Sequence, residues 1–184
     1  MKGVVSLGSL RDRQDYLIAE GLLAPYEKEK PVSAELEKMV LARLRQLAAH
    51  EVGHTLGLGH NYISSTVNRA SVMDYPYPLV TITKDSTLDL SNAYTSGVGE
   101  WDKVAIPYGY QDFPQGTDEK KALNSILDDA RNRGMIFLTD QDARPQGSAQ
   151  PFTHLWDNGT NAVDELLRLM RVRSNRGSID APYA

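Results

Sequence analysis

An α+β fold, mainly helical, is what the residue pattern calls for. Apolar residues recur at helical spacing behind recognisable caps in long stretches from Ser33 to Gly57, Thr117 to Arg133 and Asn161 to Arg173. Strand-like runs are few and short, at residues 2–7, 79–83 and 135–138. The chain has 184 residues, of which 41% are hydrophobic and 24% charged, enough for a globular domain with a core. The expected organisation is a single domain over 1–184. A strand and the long helix that reaches His54 lie in 1–60, and 61–184 is mostly helical.

The elements follow in order. KGVVSL at residues 2–7 is a short strand, and Ser9 with Asp12 forms a capping box that opens a helix ending near Gly21, with Tyr16, Leu17 and Ile18 as its apolar contacts. Pro25 to Pro31 is charged and proline-bounded, hence a loop. Ser33 then caps the long helix, with Glu35 and Glu37 suiting the dipole of its first turn. Leu36, Val40, Leu44 and Leu47 form its expected apolar stripe, which runs into His50 and His54. Asn61 to Ala70 is a polar loop. Tyr75-Pro76-Tyr77-Pro78 is stiff and aromatic, either the lining of a substrate pocket or a packed turn. Leu79 to Thr83 is extended, and Glu100 to Ile106 is a helix stopped by Pro107. Thr117 to Arg133 is a helix with Gly134 behind it and Leu123, Ile126, Leu127 and Ala130 apolar. Met135 to Leu138 is a brief strand, and Val163, Leu166, Leu167 and Met170 give the last helix its apolar face.

The chemistry is concentrated in His50 to His60, HEVGHTLGLGH, which holds three of the four histidines. Residues i and i+4 share a helical face, so His50 and His54 can turn ring nitrogens toward one point without backbone strain. A third ligand ten residues on lies well round the cylinder, so the helix must end and the chain swing back. Gly57 supplies the stop, because it tolerates positive φ, and Gly59 helps the chain turn sharply enough to bring in His60. Zinc on three neutral imidazoles keeps a fourth position for water and lowers its pKa toward about 7, and Glu51, beside the first ligand, can take the proton. Zn2+ is favoured over iron or copper because three histidines with a neighbouring carboxylate base suit a hydrolytic tetrahedral site.

SVMDY at Ser71 to Tyr75, taken with this motif, resembles the metzincin zinc endopeptidases, which have a methionine-containing turn under the metal. The resemblance implies a metzincin-like catalytic core in which His50, His54 and His60 are ligands and Glu51 is the base and acid. It further implies that Met73 is the floor of the site and that Tyr75 stabilises the oxyanion. HEVGHTLGL, Asn61 after the third histidine, SVMDYP and HLWDNG at His154 to Gly159 together resemble the large bacterial metzincin-like proteins over nearly the whole chain. The activity so implied is zinc-dependent hydrolysis of peptide bonds in a peptide or protein substrate. The alternative is a zinc-holding or peptide-binding module without efficient catalysis. Such proteins keep a twisted sheet before the active-site helix, yet only the residues before His50 are available for it here and they offer one strand. The chain is therefore expected to be part of a longer polypeptide, with most of that sheet absent.

Other functions are disfavoured. Net charge is −4, and Arg168, Arg171, Arg173 and Arg176 fall at a helix end where cations suit the dipole, so no nucleic-acid surface is expected. No apolar run is long enough to span a membrane, and residues 1–20 do not read as a signal peptide. Without cysteine the redox compartment is not legible, and only the resemblance implies an extracellular or periplasmic place. His154, a lone histidine beside Trp156, reads as packed rather than ligating. Asp140 and Asp142 resemble half a calcium loop and read as solvated loop carboxylates.

Overall fold

The computed structural model describes residues 34–143, 145–147 and 150–177. The strand expected at 2–7, the helix from Ser9 to Gly21, the loop from Pro25 to Pro31 and the Ser33 cap lie outside these residues. The described chain runs through α1 (Ala34–Thr55), a 3₁₀ turn (Ser64–Val67), β1 (Thr81–Ile82), β2 (Leu88–Asp89), α2 (Asp102–Tyr110), α3 (Glu119–Asn132), α4 (Asp140–Ala143) and α5 (Ala162–Gly177). It is α+β and mainly helical, as expected. Among the described residues no helix is long and apolar enough to cross a membrane.

The buried row of α1 is Leu36, Met39, Arg43, Gln46, His50 and Gly53, not the expected Leu36, Val40, Leu44 and Leu47. Val40, Leu44 and Leu47 are only half-buried, on its flank. Burial follows the row that carries a metal-motif histidine, and before His50 that row contains two polar residues. Burying them is tolerable because each is partnered. Arg43 donates to Gln46 Oε1 and lies 5.5 Å from the Tyr94 ring centroid, while Gln46 Nε2 donates to the Val72 carbonyl at 3.0 Å.

Two small apolar cores flank the motif. The first joins Leu36 and Met39 of α1 to Val80, Leu88, Leu90, Ala93, Tyr94 and Val172. Within it β1 and β2 pair antiparallel, Thr81 opposite Asp89 and Ile82 opposite Leu88. The side of α5 that meets this hairpin is not the expected one. Val163, Leu166, Leu167 and Met170 are each exposed, whereas Val172 is buried and Arg168 donates to the Val80 carbonyl at 2.5 Å. Arg168 and Val172 are four residues apart and share a face, and Glu165 holds the guanidinium at 2.6 and 2.7 Å, so the helix docks through a paired cation.

The second core is Val104 of α2 with Ala130 and Met135, supported by Trp101 and Ile126. Asp118 caps α3 by accepting from Lys121 N at 3.1 Å. Pro107 does not stop α2; it sits inside a helix that runs on to Tyr110. A proline there forfeits one backbone bond. The next turn survives because Gln111 N donates to Pro107 O at 3.0 Å and the Tyr110 hydroxyl donates to Leu56 O at 2.6 Å.

Two further segments depart from the sequence reading. Asn61 to Ala70 is no solvated loop, since Asn61 through Ser65 are all buried. Residues 135–138, expected to be a brief strand, join no strand ladder. Much of their partnering comes from a side chain: Asn61 Nδ2 donates to Ile136 O at 3.2 Å and Asn61 Oδ1 accepts from Leu138 N at 3.0 Å.

Candidate metal centre

His50 and His54 project from α1 with ring centroids 4.6 Å apart, and His60 brings its ring to 5.3 and 4.8 Å from theirs. One nitrogen from each lies within 4.8 Å of the others. The opposite nitrogens are engaged. His50 Nδ1 lies 2.7 Å from Val72 O, His54 Nδ1 3.0 Å from Leu58 O, and His60 Nδ1 2.7 Å from Asp140 Oδ2. Carbonyl and carboxylate oxygens only accept, so each Nδ1 carries a proton, and in the neutral ring it is Nε2 that keeps the lone pair. His60 Nε2 is buried with no hydrogen-bond partner, an arrangement that suits a metal ligand. Burial, with smaller contributions from His54, His60 and Arg43, lowers the His50 pKa to about 4 against the opposing bond to Val72 O, so the ring is neutral at pH 7.

The connection between the second and third histidines is a helix stop. Gly57 has φ 80°, Leu58 N donates to Gly53 O at 3.0 Å and Gly57 N to His54 O at 3.0 Å, the paired bonds of a Schellman cap. The same cap presents Leu58 O to His54 Nδ1, so ending the helix also orients the His54 ring.

Met73 lies beneath α1 and is 1% exposed. A Cβ added to Gly53 would lie 2.3 Å from its sulfur, so the glycine between the two helical histidines is what lets Met73 approach. Asp102 fixes this turn by accepting from Ser71 Oγ at 2.5 Å, Val72 N at 2.9 Å and Gly99 N at 2.6 Å. Glu51, between His50 and His54 in sequence, is half-buried. The Tyr75 ring lies 5.3 Å from that of His50 and 4.7 Å from that of His60. Trp156 stacks behind it at 4.9 Å, held by its backbone N bonding Tyr75 O at 2.8 Å.

Residues the sequence reading passed over join the centre. Asp140, expected to be a solvated loop carboxylate, accepts from His60 and from the Tyr62 hydroxyl at 2.6 Å. Burial raises its pKa, but these bonds outweigh that and the net displacement is downward. Tyr62 lies two residues beyond the third histidine, yet nothing in the local sequence connects Asp140 to it. His154 stays apart, its Nε2 turned to Pro151 O at 2.8 Å.

Behind Tyr75, burial and the nearby Asp157 charge push the Asp74 carboxyl up to about 8, against bonds from Tyr75 N at 2.7 Å and Ser65 N at 3.1 Å. Burial likewise raises Asp157 to about 6, eased by the Ser65 hydroxyl at 3.1 Å and by His154. A mainly apolar cleft of about 750 Å³ adjoins the centre, lined among others by Leu58, Met73, Trp101, Val104, Tyr108 and Phe137.

Three imidazoles converging from a capped helix and the turn beyond it define a zincin-like module able to hold a metal ion. A family model described as Met-zincin matches residues 33–176, and the chain belongs to that family. The family implies zinc as the ion and a metallopeptidase-like module. No curated protein and no solved structure matches the chain.

Proposed function

We propose that the protein is a zinc-dependent endopeptidase. The observation that carries this is the convergence of ring nitrogens from three histidines, with His60 Nε2 buried and without a hydrogen-bond partner. His50, His54 and His60 would hold the zinc. When bound, zinc supplies a Lewis acid for the scissile carbonyl and lowers the pKa of a coordinated water toward about 7. Glu51 accepts the proton released as the peptide carbonyl is attacked and returns it to the amine nitrogen as the C–N bond breaks. The Tyr75 hydroxyl donates a hydrogen bond to the carbonyl oxygen as it becomes negative. Met73, as a metzincin-type methionine turn, is the floor, and the cleft beside it suits an apolar substrate side chain.

One observation favours the alternative, a zinc-holding or peptide-binding module without efficient catalysis. The only sheet among the described residues is two strands of two residues each, too little edge to align an extended peptide. Glu51→Gln separates the two functions. For the enzyme, the variant keeps wild-type zinc content and loses about 10²-fold or more of peptide-cleavage rate. Equal cleavage by both proteins removes Glu51 from the mechanism, and zinc-loaded wild type that cleaves nothing establishes the module.

A further inference from the structure

We propose that Asp140 is a positioning residue of the metal centre. Together with Tyr62 it holds the His60 imidazole in its ligating tautomer and orientation, and so sets how tightly the metal is bound. This rests on the three-histidine metal site proposed above.

The three ligands are not oriented alike. His50 and His54 stand on a rigid helix and lean on carbonyls supplied by the Val72 turn and by the helix cap itself. His60 follows two glycines in irregular backbone, so its ring depends on side chains. Asp140 Oδ2 takes the Nδ1 proton at 2.7 Å, and the Tyr62 oxygen stands 3.0 Å from the same nitrogen while donating at 2.6 Å to Asp140 Oδ1. Both carboxylate oxygens are thereby engaged, which stops the carboxylate from rotating away. The Tyr62 ring, itself 2% exposed, stacks on His60 at 5.2 Å.

Asp140 is also registered on the ligand-bearing segment. Asn61 bonds Ile136 O and Leu138 N, and Tyr62 N donates to Leu138 O at 2.9 Å, so the two residues after His60 clamp the chain just before Asp140. A carboxylate behind a ligating histidine fixes its tautomer and strengthens it as a donor, and removing such a partner weakens metal affinity or activity by about 10–100-fold. The Asp140 side chain is 54% exposed, which places the expected effect at the lower end.

The test reads metal rather than turnover. Zinc affinity is measured by chelator competition, and the visible spectrum of the Co2+-loaded protein reports the ligand field. Asp140→Ala should weaken zinc about tenfold and alter the Co2+ bands. Tyr62→Phe, which deletes only the hydroxyl, should shift both in the same direction by less. Asp142→Asn, which alters the other carboxylate of the same turn, one that accepts from Thr139 N–H, should leave both unchanged and controls for loss of the turn. Wild-type affinity and spectrum in Asp140→Ala would reduce Asp140 to a surface latch. If that variant does not fold, unchanged values in Tyr62→Phe overturn the proposal equally. A wild-type chain without zinc affinity is a different failure, that of the metal site itself.

Discussion

Gly53 sits where helix propensity and the centre make opposite demands. In a helix interior alanine is better than glycine by about 1 kcal/mol. Here a methyl would lie 2.3 Å from the Met73 sulfur, and Met73, 1% exposed, has little room to yield. Overpacking of this kind costs about 1–3 kcal/mol, so Gly53→Ala should lower the melting temperature despite its better propensity. In a double-mutant cycle with Met73→Ala the cost should disappear; strict additivity would show that the two do not press on each other. Asp74 carries a second effect that one substitution exposes. Its carboxyl is raised from 3.8 to about 8, so between those values the folded chain keeps a proton that the unfolded chain releases. Stability contributed by this group is therefore complete below about pH 4 and is lost as pH rises through about 8. Asp157, raised to about 6, acts in the same direction. Asp74→Asn cannot ionise, so its melting temperature should gain on that of wild type between pH 5 and 9. A constant difference over that range would show that the folded carboxyl is already ionised.

The helix stop at Gly57 has two duties, because the cap that satisfies Gly53 O and His54 O also aims Leu58 O at His54 Nδ1. At φ 80° a Cβ meets no neighbour, but the conformation itself costs an L-residue about 1–2 kcal/mol. Gly57→Ala should therefore lose roughly that stability in chemical denaturation and should also weaken zinc binding, since the loop to His60 starts from this turn. Stability lost with unchanged zinc affinity would confine Gly57 to the fold. This stop was legible in the sequence because capping, like the i, i+4 ligand pair, is decided by neighbouring residues. The end of α3 was legible for the same reason, from Gly134, whereas its start was read at Thr117 and the cap is Asp118. What was not legible depends on distant partners. Pro107 stays helical because Gln111 and Tyr110 secure the turn after it. The buried face of α1 passes through Arg43 and Gln46 because Val72 O and the Tyr94 ring receive them, and the docking face of α5 is chosen by a carbonyl at Val80. Hydrophobic periodicity cannot reveal a buried row whose polar members are paired across the fold.

The metal centre lies between two small cores, and this sets how zinc should act on the molecule as a whole. The first half of α1 is anchored with the hairpin and Val172, while Val104, Ala130 and Met135 pack apart from them. Between them run His50 and His54 on α1 and His60 on a segment clamped to residues 136–140. An ion bound by all three would tie α1 to the chain that leaves α3. A ligand that binds only the folded state at 100 times its dissociation constant adds about 2.7 kcal/mol, and about 2–4 °C accompanies each kcal/mol in a chain of this size. Zinc added to chelator-treated protein should thus raise the melting temperature by about 5–10 °C. Hydrogen exchange should slow at both Gly53–Gly59 and Met135–Ala143, because each segment helps hold a ligand. His60→Ala should abolish the second protection while leaving His50 and His54 to hold the ion weakly. If zinc protected the helix end alone in the wild-type chain, the third ligand and the Asp140 segment behind it would not belong to the centre.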